Sequence, residues 1–194
     1  MFLKYLSFAA QTVNYMKTLL VITYFIFLGV YSSFQAQTLK SFIPEGYTLL
    51  DSASGDLNKD GIKDLIVILK NNLEEIKSDT TRPLLILHGT KNKGYILAAK
   101  NEHVVLCFGC GGVFGDPYDN VVTKNNFFSV EHYGGSAWRW TRIITFKYDL
   151  KSKQYVLHRD AGISYHTSDP DKTTDIISQK QNFGKLPFVK YSNQ

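Results

Sequence analysis

Residues 127–157 read FFSVEHYGGSAWRWTRIITFKYDLKSKQYVL, and their pattern decides the fold class. Aromatic and β-branched side chains dominate residues 127–133 and 138–148, the composition that suits a pleated, half-buried strand. Two aromatic-bearing arms then flank a polar turn at residues 147–157, which reads as a hairpin. Working outward, short apolar runs stand at residues 65–69 (LIVIL), 84–87 (LLIL), 95–98 (YILA) and 104–106 (VVL). Each is bounded by Gly, Asp, Asn, Pro or charged residues, as strands are. A helical period is scarce, and NNLEEIKSD at residues 71–79 is the best candidate for one or two turns. The expectation is an all-β, mostly antiparallel chain: a single-domain sandwich or packed meander of short strands with at most one short helix. Residues 168–175 (SDPDKTTD) read as a polar tail, and Leu186-Pro187-Phe188-Val189 as a returning edge strand.

Composition narrows the class further. The chain has 194 residues, 44% hydrophobic and 20% charged, too apolar for a disordered polypeptide. Of its 22 basic side chains, Lys4 and Lys17 precede Gln37 and no acid does, so the remainder carries 20 bases against 17 acids. A balance of +3 gives no electrostatic case for nucleic acid. From Thr18 to Leu39 there is no charge, and residues 19–30 (LLVITYFIFLGV) are almost wholly apolar behind Met16-Lys17. That layout reads as a secretory signal peptide over residues 1–36, cut after Ala36 or after Ser32, with Met16 as an alternative start. The rival is a retained membrane anchor, since 22 uncharged residues suffice to span. The expectation is a secreted or periplasmic domain over residues 37–194, without stable membrane insertion once the signal is cut.

One loop has a chemical purpose. Asp56-Leu57-Asn58-Lys59-Asp60-Gly61-Ile62-Lys63-Asp64 puts oxygen side chains at loop positions 1, 3, 5 and 9, with Gly at 6. Calcium takes six to eight hard oxygen ligands, which Asp56, Asn58, Asp60, Asp64 and the Ile62 carbonyl would supply as a structural Ca2+ site. Position 12 is Val67 rather than the Glu of an EF-hand, so the loop leads into a strand. The bland alternative is an acidic turn held by Asx hydrogen bonds.

Residues 55–65 resemble the D-x-[DN]-x-D-G-x-x-D loop of FG-GAP/VCBS-type repeats, which bind calcium between strands of propeller blades. The resemblance covers about residues 47–70 and occurs once. It therefore implies a calcium loop and a β-hairpin, not a seven-bladed propeller. Residues 110–117 and 134–140 are similar to stretches of uncharacterised secreted bacterial proteins carrying such a loop, and that likeness implies no activity.

Other constellations are weaker. Cys107-Phe108-Gly109-Cys110 is followed by Gly111-Gly112, which cannot open the helix a redox motif needs. A local disulfide is favoured over free thiols, metal or redox chemistry in an exported chain. Ser136 lacks the final Gly of a nucleophile elbow, and five histidines are scattered without partner spacing. Trp138 and Trp140 flank Arg139, so in a strand both indoles share one face. With Tyr133 they are a candidate ligand surface for a glycan or peptide, against the alternative of core packing. The sequence favours a non-enzymatic binding or interaction module with a protein or glycan partner. The alternatives are a hydrolase or redox enzyme assembled only in three dimensions, and an inhibitor- or immunity-type protein.

Overall fold

A computed structural model describes residues 37–178 and 184–192, with the backbone alone at residues 176–178. The segment read as a signal peptide lies outside the described residues. The chain is all-β, as its strand-like patterning predicts. Strands β1 (Tyr47–Gly55), β2 (Asp64–Asn71), β3 (Arg82–Gly89) and β4 (Tyr95–Val105) form one antiparallel sheet in sequence order. Strands β5 (Tyr118–Lys124), β6 (Phe127–Gly135), β7 (Trp138–Asp149), β8 (Gln154–His166) and β9 (Asp169–Ser178) form the second.

Alternation along the strands explains how the two sheets pack. Ile66, Ile68, Leu84 and Ile86 of the first sheet share one buried cluster with Val121, Phe128, Val130, Ile144, Phe146 and Leu157 of the second. Each such side chain contributes about 1.5–3 kcal/mol when fully removed from water. The intervening residues Val67, Leu69, Leu85 and Leu87 face the other way, under Leu39, Phe42 and Ile43 around a 3-10 turn at Leu39–Phe42. Burial on both faces is why β2 and β3 read as continuous apolar runs rather than alternating ones. The outer face of the five-stranded sheet instead leaves Val122, Ile143 and Ile163 exposed.

Four elements differ from the sequence reading. Residues 71–79 form successive turns with bonds such as Glu74 N–H to the Asn71 carbonyl (3.1 Å), not a helix. The run at 95–98 and residues 104–105 of the second run are one strand, β4, continuous through polar residues because Asn101 is used structurally. The Asn101 amide donates to the carbonyls of Phe188 (2.6 Å) and Tyr191 (2.9 Å), and its oxygen accepts from the N–H groups of His103 and Val104. The polar residues 168–175 lie within or beside β9, where backbone pairing to β8 carries a sequence with little apolar patterning. Finally, residues 186–189 are not an edge strand. Pro187 makes a single bridge to Val156, and a 3-10 turn at Phe188–Lys190 drives Phe188, 1% exposed, into the core between the sheets.

Candidate functional site

The loop at residues 56–64 joins β1 to β2 and is pinned from below by Leu57, which is fully buried in the shared core. Its side-chain oxygens are folded inward onto the loop's own backbone. Asp56 accepts from the N–H groups of Asp60 (3.1 Å) and Gly61 (3.0 Å), and Asn58 Oδ1 accepts from Asp60 N–H (2.9 Å). Asp60 takes the N–H of Ile62 (2.8 Å) on one oxygen and the Asn58 amide (3.0 Å) on the other. Gly61 has φ +84°, the left-handed turn the spacing calls for. Asp64 begins β2 and is 1% exposed, accepting from Leu57 (2.9 Å), Asn58 (3.1 Å) and, across the sheet, Gly89 (3.0 Å). A side chain at Gly89 would fall 2.2 Å from the Lys63 carbonyl, so only glycine lets β3 reach this carboxylate.

Burial pushes the Asp64 carboxyl up in pKa, against the opposing effect of its backbone donors and His88. No Lys or Arg forms an ion pair with Asp56, Asp60 or Asp64 among the described residues. Nor do three His, Cys, Asp or Glu groups converge in metal-binding geometry among the described residues. Each carboxylate has nevertheless accepted only two or three hydrogen bonds of about four its lone pairs allow. The neighbouring Tyr155 hydroxyl meets His88 Nε2 at 2.9 Å, and burial followed by the charge of Asp64 pushes its pKa up.

Cys107 and Cys110 are joined by a disulfide at the base of a 3-10 turn (Phe108–Gly111). The glycine-rich segment after it returns alongside β6 through a bridge between Gly112 and Gly135. This places Val113 (82% exposed) and Phe114 (49% exposed) at the turn end of the β6–β7 hairpin.

The three aromatic residues singled out from sequence do not form one surface. Strand register pairs Tyr133 with Thr141 and Gly134 with Trp140, so Tyr133 lies on the sheet face opposite Trp138 and Trp140. Trp138 is 59% exposed and meets the His166 ring edge-on, while Trp140 is half-buried over Gly134. On the Tyr133 face stand residues that strand patterning alone did not flag. Arg139 lays its guanidinium 3.8 Å from the centre of the Phe114 ring, and Phe114 is 5.8 Å from the Tyr133 ring. Tyr165 pairs in register with Arg139, and the neighbouring Tyr133 raises its hydroxyl pKa. The signal for this cluster was the alternation of Arg139 and Trp138, which assigns opposite faces. What sequence could not give was the return of Phe114 onto the sheet.

Behind this end lies a buried charged network. Arg82, fully buried, holds Glu74 and Asp116 each through two hydrogen bonds, at 2.8 and 2.9 Å and at 2.6 and 2.7 Å. Arg142 grips Asp160 in the same way at 2.8 and 2.7 Å, with the Tyr191 hydroxyl alongside. Between these pairs sits His132, 2% exposed, whose Nε2 accepts the Leu106 N–H at 3.2 Å and whose Nδ1 has no hydrogen-bond partner. Burial, then Arg142, lowers its pKa to about 4, so the ring is neutral at pH 7.

A nucleophile–base–orienter set needs three groups in sequence. The His166 Nδ1–Ser168 Oγ contact of 2.6 Å is a local turn, and no carboxylate bonds His166 among the described residues. No helix among the described residues is long and apolar enough to cross a membrane. No protein family, curated protein or solved structure matches the chain, so the side chains themselves carry the functional reading.

Proposed function

We propose that this chain is an exported β-sandwich that binds a protein or glycan partner without transforming it, stabilised by calcium at residues 56–64. The observation that carries the binding reading is the turn end of the β6–β7 hairpin. There Val113 and Phe114 stay in solvent although the fold has an apolar core to receive such residues. Exposed apolar groups gathered at one rigid place mark contact surfaces. The local disulfide and the signal-like leader support a secreted or periplasmic location.

The calcium reading rests on charge. Asp56, Asp60 and Asp64 lie within nine residues with no cationic partner among the described residues, and they repel one another. Asp56, Asn58, Asp60, the Ile62 carbonyl and Asp64 are the ligands, in a loop of FG-GAP/VCBS type. A cation there turns repulsion into attraction and fixes the register of β2 directly behind it. Binding to the native state alone adds about 2.7 kcal/mol at a hundredfold excess over Kd. The test is thermal melting with calcium and with chelator, backed by calorimetry. Calcium raises Tm, Asp60→Ala removes most of the rise, and Lys59→Ala, an exposed residue, keeps it. A chelator-insensitive melting curve with no calcium uptake would make the loop a plain acidic turn.

A further inference from the structure

Three arginines project from the interior or the faces of this sandwich with well-defined surroundings, and they are not treated alike. Arg82 and Arg142 each hold a carboxylate through two parallel hydrogen bonds. Arg139 holds none, and no acidic side chain pairs with it among the described residues. Its Nη1 is shielded from water yet has no hydrogen-bond partner. Nε and Nη2, which are not shielded in this way, also carry no hydrogen bond among the described residues, so that edge of the guanidinium is open to a planar anion while the Phe114 ring 3.8 Å away fixes its position.

Around that cation the protein presents a particular chemistry. Phe114 is half in solvent and packs against Tyr133, and Tyr165 stands beside Arg139 on the same face of the sheet. The backbone beneath is held by the Gly112–Gly135 bridge and by the pairing of Arg139 with Gly135 and Tyr165. We infer that Arg139, Phe114, Tyr133 and Tyr165 form a binding site for an acidic sugar, with a uronate carboxylate on the guanidinium and the ring's C–H face on the aromatic side chains. This rests on reading the chain as a binding module, and it names the ligand of that surface.

Size and chemistry favour a sugar over a folded protein. Three aromatic side chains about one cation match a monosaccharide unit, whereas a stable protein interface removes about 800 Å² per partner. A uronate combines the three features the site offers to meet: a carboxylate for a two-pronged guanidinium contact, an apolar face for aromatic rings, and hydroxyls for tyrosine O–H groups. A neutral sugar would satisfy only the last two and would leave the cation unmatched.

The experiment titrates the full exported protein with a glucuronate-containing tetrasaccharide and with a neutral glucose tetrasaccharide, by calorimetry and by chromatography of the saccharide afterwards. The acidic compound should bind at least about tenfold more tightly, since a charged hydrogen-bonded pair contributes at that level. Its affinity should fall as salt rises. Arg139→Gln should remove the preference. Phe114→Ala, at an exposed turn that tolerates truncation, should weaken binding severalfold while leaving the melting curve in place, and Trp138→Ala on the other face should leave binding unchanged. Equal affinity for both saccharides, no affinity for either, or full binding by folded Arg139→Gln and Phe114→Ala would overturn the site. A protein or peptide retained independently of Arg139 would overturn it too, leaving the binding-module reading in place. Cleavage of the saccharide would overturn that broader reading itself.

Discussion

Replacing Arg82 by Met isolates the energy of the buried charge network. The guanidinium is fully buried, Glu74 is 5% exposed and Asp116 is 32% exposed. Burial alone would lower the arginine's pKa, but the hydrogen bonds it donates to Asp116 and Glu74 outweigh this and raise the value, so the group stays charged throughout the accessible pH range. Met fills much of the stem's volume but strands the Glu74 carboxylate without a cation, and breaking a buried pair in this way costs about 3–5 kcal/mol. The Asp116 end should add little, because a third of that side chain is open to water, where exposed pairs contribute about 0–1 kcal/mol. With a urea dependence of about 2 kcal/mol per molar, the unfolding midpoint followed by tryptophan fluorescence should drop by about 2 M. The double variant Arg82→Met/Glu74→Leu should recover most of that loss, since it removes the stranded charge along with its partner. A midpoint shift below about 0.5 M for Arg82→Met, or a double variant no better than the single one, would refute the reasoning and show that water or a rearranged loop satisfies Glu74.

Two further outcomes follow from groups behind the same hairpin end. His132 faces Arg142, Arg82, Asp116 and Asp160, and its folded pKa of about 4 lies below the ordinary 6.5. The unfolded chain therefore binds the proton first as pH falls, so stability is lost between about pH 6.5 and pH 4, by about 3 kcal/mol in all. A Tm–pH profile should show this slope, and His132→Gln should flatten it; an unchanged slope would assign the acid sensitivity to the carboxylates instead. The Cys107–Cys110 disulfide closes a loop of only a few residues, so reducing it should cost about 2 kcal/mol or less. Unreduced mass spectrometry should find no alkylatable thiol, and two labelled cysteines would contradict the pairing.

The architecture was legible wherever a strand had to bury a face. Residues 127–133 and 138–157 announced themselves because alternation and aromatic content coincide there, and β2 and β3 because both of their faces are covered. Strands stabilised by pairing more than by side-chain burial left no such trace. β1 carries Thr48, Ser52 and Ser54, and β9 carries Asp169, Asp171 and Lys172, and each is an outermost strand of its sheet. Edge strands gain from polar residues that discourage pairing with other chains, which hides them from a search for hydrophobic periodicity. The loop at residues 56–64 was readable because its donors follow local spacing. The Arg139 cluster was only half readable, since strand parity assigns a face but not the distant Phe114 that closes over it. Arg82, Glu74 and Asp116 were invisible in sequence because three ordinary charged residues from separate loops and a strand reveal nothing until the chain brings them together.

The placement of Phe188 and Tyr191 between the layers bears on when the molecule can acquire its native form. Each sheet is a meander of neighbours in sequence, and such local pairings close quickly. The seam between the sheets is different: Asn101 of β4 waits for carbonyls 87 and 90 residues farther along. A chain emerging N-terminus first, from a ribosome or through a translocation pore, can therefore assemble both halves early but cannot lock them until residues 188–191 arrive. Truncation just before Pro187 should accordingly yield two loosely associated sheets with secondary structure and little cooperativity, a failure that removing the same number of residues from a surface loop would not produce.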